Sequence, residues 1–428
     1  MQDAAPRLKG LVEQLLGAPL PLRVRAWDGS QAGPPAAPVL VVRNRRAVRR
    51  LLWKPGELGL ARAWVAGDLG IEGDLYTALD LLSGLVWERG QDARGLRAAL
   101  RDPEVRAAVR GLVRMAGPLP PAPPAEEVRR RHHLHTRHTD RRAISHHYDV
   151  GNDFYELVLG PSMVYSCAYW EEGGTLEEAQ RDKLELVCRK LALKPGQRLL
   201  DVGCGWGSMA VHAARDHGAN VVGVTLSQEQ ATYARKRVAD EGLTDRVEIR
   251  VQDYRDVADG PYDAISSIGM AEHVGAERYL EYAEVLGRLL RPGGRLLNHQ
   301  IARRPERDES SYSVDEFIDA YVFPDGELAP VGTTVAQLER AGFEVRDVEA
   351  LREHYALTLR RWVANLEAGW SRAVRLTGAG RARVWRLYMA ASAVAFERNQ
   401  IGVNQVLAVK TAAGSGASGM PLRARTWN

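Results

Sequence analysis

Cysteine is scarce in this chain: Cys167, Cys188 and Cys204 are the three thiols in 428 residues. Their number and irregular spacing fit neither a disulfide framework nor a zinc site, so no metal site is expected and free thiols in a reducing, cytoplasmic setting are. Long apolar runs are missing as well. No stretch of about 18 uncharged apolar residues occurs, so no bilayer-spanning helix is expected. The segment Met1–Gly17 interleaves Asp3, Arg7, Lys9 and Glu13 with its apolar positions, unlike a signal peptide. Charge of one sign is also in short supply. A formal net charge of +4 names no partner. No RNA-binding appendage or aromatic-interleaved basic sheet motif is present, so nucleic acid is not expected as a partner.

What the chain does have is length and apolar content, 45% apolar against 26% charged, enough for more than one domain. The composition breaks at Ala116–Pro124 (AGPLPPAPP), where five prolines in nine residues forbid a helix and favour an extended spacer. The expected organisation is a small α+β N-terminal domain over 1–115 and a linker over 116–142, Pro-rich and then basic with His and Arg. A catalytic domain follows over 143–410, then a disordered tail over 411–428. In the first domain, Asp3–Leu16, Leu58–Val65 and Leu75–Leu85 read as helices, and Leu22–Trp27 and Pro38–Arg43 as strands. After residue 143, β-type runs alternate with helical patterns, as in a parallel sheet covered by helices.

The most informative turn lies there. Arg198–Val202 (RLLDV) is a strand ending in Asp201, followed by Gly203-Cys204-Gly205-Trp206-Gly207 and a helical pattern over Ser208–Asp216. Glycines at alternate positions let the backbone turn tightly and approach a ligand. Further strands at Val221–Thr225, Val247–Val251 (leading to Asp253-Tyr254), Tyr262–Ile268 and Arg295–His299 complete the pattern. An acidic residue followed by G-x-G-x-G fits a methyltransferase better than a dehydrogenase, whose fingerprint is G-x-G-x-x-G. A nucleotide-binding oxidoreductase is the alternative on the loop alone.

Several blocks go further: HYDVGNDFY (His147–Tyr155), MVYSCAYW (Met163–Trp170), LLDVGCGWG (Leu199–Gly207), VTLSQEQ (Val224–Gln230), SIGMAEHVG (Ser267–Gly275), HQI (His299–Ile301), His354-Tyr355 ahead of Thr358 and Trp362, and ERNQIGVNQVLAVK (Glu397–Lys410). In this order, from about Ala143 to Lys410, the chain resembles the cyclopropane fatty acid synthases and mycolic acid methyltransferases. Upstream, Trp27-Asp28-Gly29 and Leu58–Gly73 resemble the N-terminal domain of the bacterial phospholipid-modifying members. The resemblance implies an α/β, class I S-adenosylmethionine-dependent methyltransferase with a Rossmann-like, seven-stranded, mostly parallel sheet, preceded by a small α+β lipid-binding domain. It implies that Tyr165, Ser166, Gly203, Thr225, Gln230, Asp253, Tyr254 and Ile268 line the S-adenosylmethionine pocket, to which the loop reading adds Asp201, Gly205 and Gly207. It also implies that Cys167, Glu272, His299, Tyr355 and the carbonyl of Ile301 hold a bicarbonate ion beside the reacting carbon. Gly160 and Ala271 depart from the family pattern, where Asp and Phe are more frequent.

The chemistry accounts for such a set. An alkene is a poor nucleophile and needs a strong electrophile, here a sulfonium methyl; after transfer the acyl chain is a carbocation, and a proton must leave for a cyclopropane to close. A nucleophilic side chain beside the cation would be alkylated, whereas a hydrogen-bonded bicarbonate is basic and held at a distance. Tyr169, Trp170 and Trp206 are candidates for an aromatic wall facing the cation.

The expected activity is therefore methyl transfer to the cis double bond of an unsaturated acyl chain of a membrane phospholipid. The alternatives are a methylene-branched product, which calls for a downstream reductase, and a non-catalytic lipid-binding protein on the same scaffold. Expected partners are that lipid and an anionic membrane surface on the inner face of the membrane, reached through Arg43, Arg45, Arg46, Arg49 and Arg50 and the basic linker; a homodimer is left open. Read alone, Cys167 is a buried structural thiol and Glu272-His273 a helix-capping pair. Cys188 reads as a core residue, Trp362, Trp370 and Trp385 as helix core, and His132, His133, His135 and His138 as a solvated linker rather than metal ligands.

Overall fold

The computed structural model describes residues 3–86, 102–128, 150–309, 312–324, 326–412, 414, 416–423 and 425. The basic linker over Arg129–Arg142 and its histidines lie outside them. The chain forms two compact units. The first takes residues up to 130 together with Asp315–Val322 and Thr377–Val394; the second takes the rest.

In the first unit, β1 (Arg23–Arg25), β2 (Gln31–Ala32), β3 (Val39–Val42) and β4 (Leu69–Glu72) form a sheet of order β2-β1-β3-β4. Helices α1 (Ala4–Leu16), α2 (Arg45–Trp53), α3 (Glu57–Val65), α4 (Leu75–Val86) and α5 (Pro103–Ala116) accompany it. The sequence reading missed α2, α5 and β4. In α2 the arginines crowd out the apolar spacing, yet Asn44 caps it by accepting from Arg46 N at 2.9 Å. The fully buried Asp68 holds this region together: it accepts from Asn44 Nδ2 at 2.7 Å and Arg50 Nε at 2.9 Å, and pairs with Arg46 at 3.1 Å.

The proline segment does not separate the units at residue 116. Its carbonyls, which lack nearby N–H partners, accept from side chains of the first unit: Arg50 Nη1 donates to Ala122 O at 2.7 Å and Trp53 Nε1 to Pro118 O at 2.8 Å. Two stretches expected in the catalytic domain join this unit too. Tyr321 OH donates to Glu127, which Arg62 also grips with two bonds of 2.6 and 2.7 Å, and Trp64 Nε1 donates to Arg383 O at 2.9 Å.

The second unit holds β5 (Arg198–Val202), β6 (Asn220–Thr225), β7 (Val247–Val251), β8 (Tyr262–Ile268), β9 (Leu290–Arg303), β10 (Phe343–Ala350) and β11 (Ile401–Lys410), in the order β10-β11-β9-β8-β5-β6-β7. The pairings from β9 to β7 are parallel and those of β11 antiparallel. Because alternate side chains face opposite ways, Leu199 belongs to one core and Leu200 to the other. The first core also takes in α7 (Leu176–Leu191), α8 (Ser208–His217) and α9 (Gln228–Asp240), and the second α10 (Tyr279–Leu289), while α6 (Asn152–Leu159) precedes the sheet. The strand order turns outward in both directions from β5, and in such sheets ligands sit at the carboxyl ends of the strands around that point. Past Thr411 the tail is not free chain among its described residues: Met420 packs on the core around Leu407, and Arg425 Nε donates to Asp347 at 2.9 Å.

Candidate active site

At the end of β5 the chain enters the glycine loop with Gly203 at φ 76° and Gly205 at φ 53°. Gly203 N and Cys204 N both donate to Val224 O at 3.0 Å, fixing the loop to β6. A Cβ on Gly205 would meet nothing within 4 Å, whereas one on Gly207 would lie 3.0 Å from the Ala234 Cβ. Gly207 is also absent from the cavity wall. It serves the close approach of α8 and α9 rather than the ligand, which corrects the cofactor role expected for it.

The other ten expected cofactor residues, Tyr165, Ser166, Asp201, Gly203, Gly205, Thr225, Gln230, Asp253, Tyr254 and Ile268, line one cavity at the carboxyl ends of β5, β6, β7 and β8. Thr225 Oγ1 donates to Gln230 Oε1 at 2.9 Å and accepts from Ser227 N at 3.2 Å. Arg255 grips the Asp253 carboxylate with bonds of 2.8 and 2.6 Å. Asp201 accepts from Ser266 Oγ at 2.7 Å, and burial pushes its carboxyl up to about 6 despite that bond and the cation of Lys183. Lys183 is a wall residue that the sequence reading missed. It is fully buried, its Nζ donates to Ser166 Oγ at 3.0 Å, and burial lowers its ammonium to about 8. Its position in an amphipathic helix carried no local signal.

Three of the five residues expected to hold an anion, Glu272, His299 and Ile301, lie where β9 runs past the end of β8. His299 pairs with Ile268, so Ile301 lies beyond β8, and its N–H goes to Glu272 Oε1 at 2.9 Å. A strand residue's N–H and C=O share an edge, so the Ile301 carbonyl faces the same side. Glu272 Oε2 and His299 Nε2 are buried without a hydrogen-bond partner. Burial raises the Glu272 carboxyl to about 7 and holds His299 well below the usual imidazole range.

The neighbours of His299 fix its tautomer. Lys190 Nζ donates to Gln405 Oε1 at 2.7 Å, so the Gln405 amide nitrogen faces His299 Nδ1, 3.2 Å away. An amide N–H donates, so Nδ1 accepts and the ring proton sits on Nε2. Cys167 and Tyr355 meet at Leu351, whose carbonyl accepts from Cys167 Sγ at 3.6 Å and Tyr355 N at 3.1 Å, while Leu351 N donates to Val403, the β11 partner of Ile301. Burial raises the Cys167 thiol well above its ordinary value. A neutral thiol is a poor nucleophile.

A model of the mycolic acid cyclopropane synthetase family matches residues 135–406. The chain belongs to this family. It is 46% identical over 415 residues to a probable fatty acid methyltransferase of Mycobacterium tuberculosis, covering 94% of each. It is 41% identical over 261 residues to the cyclopropane-fatty-acyl-phospholipid synthase of Escherichia coli, covering 61% of this chain and 66% of that one. Among solved structures it resembles the mycolic acid cyclopropane synthase CmaA1 complexed with SAH and CTAB, with a TM-score of 0.60 and 34% identity over 63% of this chain and 97% of that one. The protein is thus an S-adenosylmethionine-dependent methyltransferase of the fatty-acyl type with the class I fold.

Within this family framework, the aromatic wall differs from the expected one. Tyr169 stacks on His354 at 4.9 Å, and Trp170 donates to Thr358 Oγ1 at 3.0 Å; neither lines the cavity. Trp206 does, with its ring 4.7 Å from that of Tyr155 and its Nε1 donating to Asn152 at 2.8 Å. From there the rings continue through Tyr165 (5.7 Å from Tyr155) and the fully buried Trp362 (5.4 Å from Tyr165) to Tyr355 (6.0 Å from Trp362). The wall therefore links the cavity at the strand ends to the Cys167–Tyr355 side. Gly160, one of the departures, has φ 74° and closes α6, a conformation that favours glycine over the aspartate frequent in the family.

Proposed function

We propose that this enzyme alkylates the cis double bond of an unsaturated acyl chain of a membrane phospholipid with the methyl of S-adenosylmethionine and closes a cyclopropane. The carrying observation is the pair of buried, unpartnered atoms His299 Nε2 and Glu272 Oε2, set beside the Ile301 backbone. A bicarbonate ion fits the donors and acceptors there and, when bound, supplies the base. The imidazole presents an N–H, the Glu272 carboxyl, raised to about 7, presents either a donor or an acceptor, and the Tyr355 hydroxyl is a further donor. Tyr165 on the cavity wall, with Trp362 and Tyr355 packed in series beyond it, supplies an aromatic surround suited to a passing cation. Incubating the protein with labelled S-adenosylmethionine and oleoyl phospholipid vesicles, then fragmenting the modified chain by mass spectrometry, tests the reading. A ring of mass one methylene above oleate supports it; unmodified lipid overturns it.

The second reading is a methylene- or methyl-branched product, favoured by the 32% identity over 405 residues to a tuberculostearic acid methyltransferase of Mycobacterium tuberculosis. The same spectra distinguish the two. Among the described residues no helix is long and apolar enough to cross a membrane, so access to the lipid falls to surface binding. Arg43 and Arg45 are exposed, and α2 presents Trp53 at 59% exposure, whereas Arg50 is buried against Asp68 and belongs to the fold. Vesicle sedimentation that weakens with salt and strengthens with anionic lipid supports recruitment through these groups; indifference to both overturns it.

A further inference from the structure

One polar cluster serves neither the cofactor cavity nor the anion-facing residues. Glu185 and Cys188, three apart on α7, share a face of that helix, and His212 and His217 of α8 converge on it. The Cys188 sulfur and one ring nitrogen of each histidine lie within 4.8 Å of one another. Glu185 Oε2 sits between the rings, 2.8 Å from His217 Nε2 and 3.3 Å from His212 Nε2. Its other oxygen accepts from Arg189 Nε at 2.7 Å, which fixes the carboxylate's orientation. On the far side of the His212 ring, Nδ1 is 2.9 Å from Asp216 Oδ2, and Asp216 is itself held by Arg215.

We propose that Cys188, His212, His217 and Glu185 form a structural site for a zinc-type divalent cation that clamps α7 to α8. A thiolate, two imidazoles and a carboxylate are four donors suited to a tetrahedral, borderline-soft ion. Bonds of about 2.0–2.3 Å place tetrahedral ligands roughly 3.3–3.8 Å apart, so side-chain rotation draws in the Cys188 and histidine atoms, now within 4.8 Å of one another, and widens the 2.8 Å Glu185–His217 contact to admit the ion. Asp216 orients the His212 ring from behind, as a carboxylate behind a metal-bound histidine does, leaving Nε2 for the ion. Cys188 and His212 are buried, while His217 and Glu185 lie 18% and 29% exposed and form the entrance. On binding, a metal–sulfur bond replaces the Cys188 S–H bond, the proton passes to solvent, and the imidazoles coordinate as neutral rings. None of the four lines the cofactor cavity, so the ion holds the helices flanking β5 and takes no part in methyl transfer.

The test is cobalt titration of full-length protein freed of metal by chelation and dialysis. One equivalent of Co(II) should give a thiolate-to-cobalt band in the near-ultraviolet with intense visible bands, and zinc should abolish both and raise the Tm. Cys188→Ser should lose the sulfur band. Asp216→Asn, which removes the negative charge behind His212 together with its ion pair to Arg215, should weaken cobalt binding about tenfold to a hundredfold, with S-adenosylmethionine affinity unchanged. Should Cys188→Ser not fold, His217→Gln at the entrance replaces it and should likewise weaken cobalt binding. Failure of the wild type to bind cobalt, a spectrum without the sulfur band, or unchanged affinity in both Asp216→Asn and His217→Gln overturns the site.

Discussion

At the carboxyl ends of β5, β6 and β7 most of the polar side chains around the cavity satisfy one another. Thr225 donates to Gln230, Arg255 holds Asp253 with two bonds, Lys183 donates to Ser166, and Asp201 takes Ser266 on one oxygen while the other stays without a partner. Beside β9 the balance reverses: Glu272 keeps one backbone bond, and Oε2 and His299 Nε2 have none. An unsatisfied buried polar group costs about 1–3 kcal/mol. The difference teaches that the first region is largely a preformed mould, where the backbone makes room, whereas the second leaves two buried polar atoms, Glu272 Oε2 and His299 Nε2, for the proposed anion to satisfy.

Substitutions that fill the mould should have the largest effect. Gly205→Val places a branched side chain at φ 53°, facing open cavity, and should abolish S-adenosylmethionine binding in calorimetry; the left-handed backbone adds a stability loss of about 1–2 kcal/mol. Gly207→Val, strained equally but packed against Ala234, should lower the Tm more and spare affinity in whatever fraction folds. If Gly205→Val binds normally, the cavity is not the cofactor's.

Next come the groups that await completion. Tyr355→Phe deletes one donor to the anion, and Glu272→Gln changes the charge and proton pattern of its site, both at nearly constant volume. A hydrogen bond to a charged group is worth about 1.5–3 kcal/mol, so turnover should fall roughly tenfold to a hundredfold with S-adenosylmethionine affinity intact. Added bicarbonate should restore part of the loss here and none in Gly205→Val. Full turnover of both variants in bicarbonate-depleted buffer would place the base elsewhere.

This contrast was unevenly legible in the sequence. The bounds of β5, β7 and β8 coincide with the expected ones because each is a short β-type run closed by glycine or turn residues. The cofactor residues follow from those strand ends. Cys167, Glu272, His299 and Tyr355 lie far apart in the chain and carry no local pattern, so only the family resemblance connected them. Gln405 and Lys183 went unread because their roles arise from strand register and helix packing: Gln405 faces His299 only through the pairing of β11 with β9. Tyr169 and Trp170 were misplaced because proximity to Tyr165 in sequence does not say which way a loop side chain turns.

A smaller effect is the pH dependence of the second region's carboxyl. Burial raises Glu272 from 4.5 to about 7, so the folded state binds this proton more tightly than the unfolded chain. The stabilisation is fully present below pH 4.5 and is lost as pH rises through about 7. Glu272→Gln, neutral throughout, should therefore gain stability relative to the wild type between pH 5 and 8, by at most roughly 3 kcal/mol. Thermal melts at both ends of that range measure it; parallel Tm curves would show that this carboxyl ionises freely and that the second region is wetter than its burial implies.

The smallest and most specific effect is expected at Gln405. Its amide is oriented by Lys190 and donates to His299 Nδ1, so it acts on the site only by fixing which ring nitrogen carries the proton. Gln405→Met keeps the volume and removes that donor, so the His299 proton divides between the two nitrogens and a fraction of molecules presents a bare Nε2 to the anion. A neutral hydrogen bond contributes about 0.5–1.5 kcal/mol, which sets the expected loss of turnover at roughly two- to tenfold. Because Lys190 also pairs with Glu349, the ammonium keeps a partner and the fold survives. The deciding readout is the imidazole nitrogen chemical shifts of His299: in the wild type Nε2 should be protonated, and in Gln405→Met the two should move toward each other while S-adenosylmethionine affinity stays constant. A wild-type ring protonated on Nδ1 would reverse the donor at the heart of the second region, and Glu272 would then have to supply the hydrogen bond that His299 cannot.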